Sequence, residues 1–327
     1  MRYKCGLYGG NFNPMHVGHV QSIIQAANQC EQLIIAIRSG GGKSELDLRL
    51  RYRWVYQVIQ HLDNVRIFTG DSAQKIRDFA GAEIDALFCG GDLAEDDSFW
   101  AKRFPDAELC IFPPAKLNSA EIRKNPLAHW DALPTAVRPY YVKKVLIIGG
   151  ESTGKSTLSI NLANYFCTNF LEEVGRPLSE RSGTSLMMLP ADYTDILLQH
   201  KNREIEALER SNRVLFEDTD CLVTLFYLDF LEGGDKPNEQ LADAIAHLNR
   251  YDLILFLEPD VAFVKDGLRS DIIAADRETY SRQIKEIYTR YGFSFVSLSG
   301  DYQARFEKAV ELVSKLIGEK GESARGS

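Results

Sequence analysis

The residue pattern with the most specific chemistry lies at 149–157, which reads Gly-Gly-Glu-Ser-Thr-Gly-Lys-Ser-Thr. Gly149 to Ser156 fits G-x-x-x-x-G-K-S/T, the pattern of a loop that binds phosphate. Lys155 should reach the β- and γ-phosphates of a nucleotide, and Ser156 should hold Mg²⁺. The other predicted contacts to the nucleotide come from Gly149, Gly150, Glu151, Ser152, Thr153, Gly154 and Thr157.

The residues on either side of this loop support that interpretation. Val145 to Ile148 reads as a buried parallel strand, and an amphipathic helix is predicted from Thr157 onward. The N–H groups of the loop and the positive end of the helix would both favour an anion. A loop of this kind normally follows the first strand of its domain, so the long stretch before residue 145 predicts a separate domain.

Carboxylates follow a second apolar run in the same half of the chain. Val214 to Asp220 reads as a buried strand that ends in acids, as a magnesium site beside a phosphate loop requires. We expect Asp218 or Asp220 to hold the metal, directly or through water, or to orient a substrate hydroxyl.

Two further segments of this half are candidate site residues. Glu173 ends a predicted strand at 170–173 and could bind a ribose or accept its hydroxyl proton, with Arg176 beside it. The alternative is a surface Glu–Arg pair. Arg269 follows an Asp-Gly step and could close over ATP as part of a lid, or lie in a plain surface turn.

The first half of the chain carries a second pattern, at the turn from its first strand into its first helix. His16 and His19 lie at i and i+3 after a glycine-rich turn that contains Gly9, Gly10 and Phe12. A histidine at a helix N-terminus can donate to a phosphate without permanent charge. The alternatives are structural histidines or a metal site, although no third ligand is evident nearby.

A short polar segment later in this half is a further phosphate candidate. Asn118 and Ser119 begin a predicted helix and Arg123 follows one turn later, so the segment offers N–H groups, a hydroxyl and a charge. Arg49, Arg51 and Arg53 open another helix, where a triphosphate contact and a solvated face are equally consistent with the pattern.

Apolar runs alternate with amphipathic segments along the whole chain. This alternation predicts an α/β protein with two doubly wound parallel-sheet domains, at 1–141 and 142–318, followed by a mobile tail at 319–327. The chain of 327 residues has a net charge of −8, which disfavours a general nucleic-acid binder. Its scattered cysteines, and the lack of a signal peptide or a membrane span, predict a cytoplasmic protein with reduced thiols. A homo-oligomer is compatible with the sequence.

The motif G-x-F-x-P-x-H-x-G-H at 10–19 resembles the signature of adenylyl-transferring nucleotidyltransferases, and the segment 117–123 is similar to their S-S-T-x-I-R element. That resemblance implies a Rossmann-like domain in which His16 and His19 bind ATP phosphates and Ser119 and Arg123 bind the triphosphate. Asn118 and Ala120 replace the usual serine and threonine, which predicts weak or slow transfer.

The order of all the motifs resembles the bifunctional NadR-type proteins of bacterial NAD salvage. The motifs are the signature, the join rich in proline and aromatic residues at 125–144, the phosphate loop, Glu-Val-Gly-Arg, Glu-Asp-Thr-Asp and Asp-Gly-Leu-Arg-Ser. The resemblance implies an adenylyltransferase domain joined to a P-loop ribosylnicotinamide kinase domain. ATP and Mg²⁺ would be cofactors, nicotinamide riboside and nicotinamide mononucleotide substrates, and NAD the product. Some such proteins begin with a helix-turn-helix repressor domain; here a strand starts near Met1, so we expect an enzyme without a DNA partner.

Three functions are consistent with these motifs. The first is a salvage enzyme with two active sites. The second is a riboside kinase whose N-terminal domain senses nucleotide without catalysis, which Asn118 and Ala120 would favour. The third is an adenylyltransferase–kinase pair for another phosphorylated small molecule. It stays open because both motifs bind phosphate groups and neither recognises a nicotinamide ring.

Overall fold

The structure is a computed structural model, and it describes residues 1–39, 46–90, 99–113, 119–183, 187–264 and 271–318. Asn118, Arg269 and the predicted tail at 319–327 therefore lie outside the described residues. The chain divides into two compact units, Met1–Tyr141 and Val142–Ser327.

The N-terminal unit contains one parallel sheet with the strand order β3-β2-β1-β4-β5. Its strands are β1 (Tyr3–Gly10), β2 (Cys30–Ile37), β3 (Val65–Thr69), β4 (Ala86–Cys89) and β5 (Glu108–Ile111). Its helices include α1 (Val17–Ala27), α2 (Leu48–Ile59), α3 (Ala73–Ala80) and α4 (Ser119–Lys124), with 3₁₀ turns at Trp130–Ala132 and Arg138–Tyr140. The strand order changes direction between β1 and β4, and ligands of open α/β sheets bind at such a point.

The C-terminal unit contains a second parallel sheet, with the order β10-β9-β6-β8-β7. Its strands are β6 (Lys143–Gly149), β7 (Asn169–Leu171), β8 (Val214–Asp218), β9 (Leu253–Leu257) and β10 (Val296–Leu298). Its helices are α5 (Lys155–Tyr165), α6 (Gly175–Arg181), α7 (Pro190–Arg210), α8 (Cys221–Glu232), α9 (Lys236–Leu248), α10 (Asp271–Ala275), α11 (Arg277–Arg290) and α12 (Tyr302–Ile317). Strand β6 is central, so the phosphate loop that follows it lies at the middle of the carboxyl edge.

The apolar runs become the buried central strands of both sheets. Leu33 to Ile37 in β2 and Val145 to Ile148 in β6 are fully buried, because helices cover both faces of a parallel sheet. The predicted α/β class with two doubly wound parallel sheets is confirmed. All six cysteines are free thiols. Within the described ranges, no helix is both long and apolar enough to cross a membrane.

Strand ends differ from the prediction where the backbone turns sharply. The predicted strand at 214–220 ends at Asp218, because Thr219 has a φ of 67°, which no strand residue can adopt. The predicted strand at 170–173 is Asn169–Leu171, so Glu173 lies in the loop beyond it. The helix predicted from Thr157 begins at Lys155.

Candidate active sites

The phosphate loop between β6 and α5 depends on two glycines with positive φ. Gly149 has a φ of 150° and Gly154 a φ of 90°. A Cβ atom at Gly149 would lie 2.7 Å from the carbonyl oxygen of Leu257, and one at Gly154 would lie 2.7 Å from Cε1 of Tyr302. Both positions therefore require glycine for backbone conformation and for space.

Side chains from outside the loop hold its main chain in place. Buried Arg305 donates from Nη1 to the carbonyl oxygen of Thr153 at 2.6 Å. Arg277 donates from Nη2 to the carbonyl oxygen of Ser152 at 3.3 Å, and the main-chain N–H of Val264 donates to Ser152 Oγ at 2.7 Å. With some carbonyls turned toward these donors, the loop can direct its N–H groups at an anion.

Lys155, Ser156 and Asp218 converge where the loop enters α5. Lys155 Nζ donates to the carbonyl oxygen of Gly150 at 3.0 Å, which keeps the ammonium folded over the loop. Ser156 Oγ donates to Asp218 Oδ2 at 2.5 Å. The carboxylate is fully buried at the end of β8, and its Oδ1 atom has no hydrogen-bond partner among the described residues.

The charges around Asp218 show which other predicted residues are close to it. Burial and, to a lesser extent, the Glu173 carboxylate raise the pKa of Asp218, which lies at about 6. The Lys155 ammonium, the Ser156 hydroxyl and the Arg176 guanidinium act in the opposite direction. The structure therefore brings Lys155, Ser156, Glu173, Arg176 and Asp218 together around one point.

This donor set fits Mg²⁺ in the way that nucleotide sites do. Magnesium in such sites takes one or two protein oxygens and completes its octahedron with phosphate oxygens and water. The buried Asp218 carboxylate with its unpaired Oδ1 and the Ser156 hydroxyl supply those protein oxygens. Among the residues that the structure describes, no three His, Cys, Asp or Glu side chains form a protein-only metal cage.

A cavity of about 440 Å³ extends from the loop into the C-terminal unit. The predicted residues that line it are Glu151, Ser152, Thr153, Gly154, Lys155, Ser156, Thr157, Glu173 and Arg176. The structure also describes Gly149, Gly150 and Asp218, and none of these three residues lines the cavity. The volume suits a ligand of nucleoside size.

The far wall of the cavity comes from helices that carry no recognisable motif. Tyr193, Ile196 and His200 lie along one face of α7, and Val223, Thr224, Tyr227 and Leu231 along one face of α8. The signal available in the sequence was the i, i+3, i+4 spacing, which indicates a buried face but does not separate a ligand wall from a core.

Asp220 does not join this group of side chains in the structure, because its buried carboxylate is bonded to groups of the core. Its Oδ1 atom accepts from the N–H of Leu222 at 2.9 Å, so it caps α8. The hydroxyls of Tyr251 and Tyr288 also donate to this carboxylate. The positive φ of Thr219 turns the chain between the two acids, so Asp218 and Asp220 face different surroundings.

In the N-terminal unit, His16 and His19 stack on each other at the start of α1. Their ring centroids are 3.8 Å apart at an interplanar angle of 29°. The main-chain N–H of His16 donates to His19 Nδ1 at 3.2 Å. Because Nδ1 accepts this bond, a neutral His19 carries its proton on Nε2, where it can serve as a donor to a ligand.

Both imidazoles are neutral at physiological pH. Burial lowers the pKa of His16 to about 4. Burial, together with the neighbouring His16 ring, lowers the pKa of His19 well below its usual value. Phe12 packs on His19 with a centroid distance of 5.0 Å and contributes to this apolar setting. The pair can therefore act as hydrogen-bond donors without bringing a positive charge.

The other predicted residues of this unit are close to the histidines or support their loop. Ser119 Oγ donates to the carbonyl oxygen of Pro14 at 3.2 Å, and Arg123 donates to that of Asn13. A Cβ atom at Gly9 would lie 2.1 Å from Nε1 of Trp100, and one at Gly10 would lie 3.4 Å from the Phe12 ring. Helix α4 is thus anchored on the loop that precedes the histidines.

Arg51 in α2 does not lie on a solvated face, which was one of the two alternatives for the arginines of this helix. It is 2% exposed and donates from Nη1 to the carbonyl oxygens of Asn11 at 2.9 Å and Arg38 at 3.1 Å. It therefore fixes the histidine loop against the end of β2. Arg49 is exposed and paired with Asp47.

Two family models match the chain, one in each unit. A cytidylyltransferase-like model matches residues 7–108, and a model for an AAA domain matches residues 144–305. Together with the two sheets and their sites, these matches define a nucleotidyltransferase unit joined to a P-loop kinase unit.

Curated relatives match across both units. The chain is 30% identical to the Trifunctional NAD biosynthesis/regulator protein NadR of Salmonella typhimurium, over 97% of this chain and 84% of that protein. It is 29% identical to the protein of the same name from Escherichia coli, over 96% and 84%. The chain belongs to the NadR family.

Solved structures agree with this fold across the same span. A crystal structure of NadR protein in complex with NR superimposes with a TM-score of 0.82 at 21% identity, covering 99% of this chain and 98% of that chain. A crystal structure of NadR protein in complex with NAD and AMP-PNP gives a TM-score of 0.80 at 21% identity, with the same coverage.

Proposed function

We propose that the protein is an NAD salvage enzyme with two active sites. Its C-terminal unit phosphorylates nicotinamide riboside with ATP and Mg²⁺, and its N-terminal unit transfers the adenylyl group of ATP to nicotinamide mononucleotide. The observation that carries the proposal is the convergence of Lys155, Ser156, Asp218 and Glu173 at one end of a cavity of nucleoside size. The NadR relatives are named for NAD biosynthesis, which supports this choice of substrate.

In the kinase reaction, the 5′-oxygen of the riboside attacks the γ-phosphorus and the bond to the β-phosphate oxygen breaks. Lys155 would neutralise charge that develops on the phosphate oxygens. Asp218 and Ser156 would hold Mg²⁺, which supplies Lewis-acid stabilisation of the same charge when it is bound. Glu173 lies beside them and would accept hydrogen bonds from the ribose hydroxyls. It would also take up the proton of the attacking 5′-hydroxyl as the new bond to phosphorus forms.

The rest of the cavity would receive the nicotinamide ring. Apolar and aromatic side chains, with Tyr193 and Tyr227 among them, line the part formed by α7 and α8. Such a wall suits a flat heteroaromatic ring, because ring stacking and apolar burial both favour it. Arg176 and the loop would remain on the phosphate side.

In the adenylyltransferase reaction, a phosphate oxygen of the mononucleotide attacks the α-phosphorus of ATP and pyrophosphate leaves. His16 and His19 would donate from neutral rings to the phosphate oxygens, and their donor groups are positioned before the reaction begins. Arg123 would neutralise charge on the leaving pyrophosphate. Ala120 offers no hydroxyl in α4, so we expect this reaction to be slow.

The experiment that tests the proposal is incubation of the pure protein with ATP, Mg²⁺ and nicotinamide riboside, with separation of mononucleotide from dinucleotide. We expect the mononucleotide first and NAD later. A protein that forms neither product, while it phosphorylates another nucleoside, would overturn the choice of substrate.

A second candidate function keeps the kinase but gives the N-terminal unit a nucleotide-sensing role. The observation that favours it is the anchoring of Ser119 and Arg123 on main-chain oxygens of Pro14 and Asn13, which engages both side chains within the protein. This candidate predicts no NAD from ATP and nicotinamide mononucleotide, even at high enzyme concentration.

A further inference from the structure

Thr219 lies between Asp218 and the start of α8, in a conformation that β-branched residues rarely adopt. Its φ is 67°, in the left-handed region that favours glycine. Strained backbone of this kind persists only where surrounding contacts hold it. Thr219 directly follows Asp218 in the chain and also lines the cavity beside the phosphate loop.

Contacts from three elements fix the main chain of this turn. The N–H of Thr219 donates to the carbonyl oxygen of Ile147 in β6 at 3.1 Å. His200 in α7 lies with Nε2 at 3.0 Å from the carbonyl oxygen of Thr219. A carbonyl oxygen only accepts, so His200 donates from Nε2. The N–H of Leu222 donates to Asp220 Oδ1 at 2.9 Å, which ties the turn to the start of α8.

Two tyrosines hold the carboxylate that ends the turn. Tyr251 donates from its hydroxyl to Asp220 Oδ2 at 3.0 Å, and Tyr288 in α11 donates to Oδ1. Tyr288 is 0% exposed and Asp220 is 2% exposed, so water does not compete for these bonds. Asn249 donates to the hydroxyl oxygen of Tyr251 at 2.9 Å and fixes its orientation.

We propose that Asp220, Tyr251 and Tyr288 are positioning residues for phosphoryl transfer, which hold Thr219 in its left-handed conformation and so direct Asp218 at Ser156. The inference rests on the kinase reaction proposed above. None of the three residues lines the cavity. They act through the turn, and their loss lowers turnover rather than the affinity for ATP.

The test compares Tyr288→Phe with Thr219→Gly and with the double variant. Tyr288→Phe removes one hydroxyl from the Asp220 carboxylate and should lower kcat for riboside phosphorylation about tenfold, with the KM for ATP within about twofold. Thr219→Gly removes the intrinsic cost of the left-handed conformation but adds flexibility, and should lower kcat about threefold. Because glycine adopts this conformation without the contacts of Asp220, Tyr251 and Tyr288, the double variant should have the same kcat as Thr219→Gly.

Tyr291→Phe provides the matched control. Tyr291 immediately follows α11 and donates to Asp243 at 3.0 Å, so its substitution also removes a Tyr–Asp hydrogen bond, away from the Thr219 turn. We expect wild-type kcat from this variant. Tyr251→Phe is the second test variant. It removes the other hydrogen bond from a tyrosine to Asp220 and should also lower kcat, so it replaces Tyr288→Phe if that variant does not fold.

Hydrogen exchange gives a readout that does not depend on turnover. The amides of Thr219 and Leu222 should exchange faster in Tyr288→Phe than in wild type, with no such change in Tyr291→Phe. This result does not depend on whether the wild-type protein phosphorylates the riboside. A failure of the proposed function can therefore be distinguished from a failure of Asp220, Tyr251 and Tyr288 to hold the Thr219 turn. A double variant with about a thirtyfold loss, or unchanged exchange at Thr219 in Tyr288→Phe, would overturn the proposal.

Discussion

The two candidate phosphate sites of this protein contain different kinds of groups for the same kind of ligand. In the N-terminal unit, His16 and His19 form a stacked pair of neutral rings that can donate hydrogen bonds. In the C-terminal unit, an ammonium and carboxylates meet beside a cavity, and the buried Asp218 has a pKa raised to about 6. In the proposed reactions, the histidine pair would act through oriented donors without charge, with Arg123 as the charged group of that site, and the kinase site would act through ions held close together.

This difference indicates how each site should respond to substitution. A neutral donor contributes through direction and distance, so its loss removes one hydrogen bond to the transition state. An ion in a buried cluster also balances its neighbours, so its loss leaves an uncompensated charge behind. We therefore expect larger losses in the kinase unit than in the adenylyltransferase unit.

Lys155→Ala should have the largest effect. Riboside phosphorylation should fall by at least about 10³-fold, because the ammonium that neutralises the β- and γ-phosphates is lost. NAD formation from nicotinamide mononucleotide should be unchanged in the same preparation. Lys308→Ala is the control, since Lys308 is exposed and pairs with Glu311 at the surface. Phosphorylation at the wild-type rate would remove Lys155 from the site.

Asp218→Asn should follow in size, with kcat for phosphorylation lower by about 10²- to 10³-fold. The amide keeps the shape of the side chain but loses the charge that would hold Mg²⁺ with Ser156. Raising the Mg²⁺ concentration should recover part of the activity. Asp243→Asn, at an exposed acid, should behave like wild type. If Asp218→Asn kept normal turnover at low Mg²⁺, the metal assignment would be wrong.

His19→Ala should lower NAD formation from ATP and nicotinamide mononucleotide by about 10²-fold, since one donor to the phosphates is removed. The neutral rings also predict a pH profile without a step between pH 7 and 6, because the pKa of His16 is about 4. His61→Ala, at an exposed histidine of the same unit, is the control. Equal NAD formation by His19→Ala and wild type would mean that the histidine has no catalytic part.

Glu173→Gln should have a smaller effect, mainly on the riboside. A hydrogen bond from a ribose hydroxyl to a carboxylate is stronger than one to an amide, so the KM for the riboside should rise about tenfold. The kcat should also fall, because an amide cannot take up the 5′-hydroxyl proton. The KM for ATP should stay the same. Glu180→Gln, at an exposed acid of α6, should change neither value. An unchanged KM and kcat for the riboside would exclude Glu173 from the ribose site.

The smallest predicted effect concerns stability of the C-terminal unit. Glu217 is fully buried, and burial raises its pKa to about 8. Lys144 lies 2.5 Å from Glu204 and 3.6 Å from Glu217, so it pairs with Glu204. Between the ordinary pKa and pH 8, the unfolded chain loses this proton while the folded chain keeps it, so stability falls as pH rises.

The glutamine of Glu217→Gln cannot ionise. The stability of this variant relative to the wild type should therefore grow from pH 5 to pH 8, and the difference in thermal midpoint should grow with it. Thermal melts at several pH values measure this difference, with Glu209→Gln as an exposed control. A midpoint difference that shrinks as pH rises would contradict the raised pKa.

The sequence was sufficient where one short segment contains the whole signal. The phosphate loop requires its glycines, lysine and serine in consecutive positions, and the apolar runs around it become buried strands because they have no polar face. The histidine pair is similar, since i and i+3 on a helix start place both rings together.

The sequence was insufficient where a residue's role depends on a distant partner or on one backbone angle. Asp218 and Asp220 follow the same strand, but the φ of Thr219 separates them, and threonine at that position gives no sign of a left-handed turn. Arg305 and Arg51 look like helix-surface residues, yet each is buried and bonds to main-chain oxygens far away in the sequence. Tertiary contacts decide these positions.

A mixing experiment with Lys155→Ala and His19→Ala tests most directly the claim that two independent sites act in succession. Each variant alone, given ATP, Mg²⁺ and nicotinamide riboside, should form little or no NAD: the first lacks mononucleotide, and the second accumulates it. The two variants in one solution should form NAD, because mononucleotide released by one protein is consumed by the other. NAD formed from the riboside by Lys155→Ala alone, or none formed by a mixture whose wild-type counterpart is active, would contradict the account.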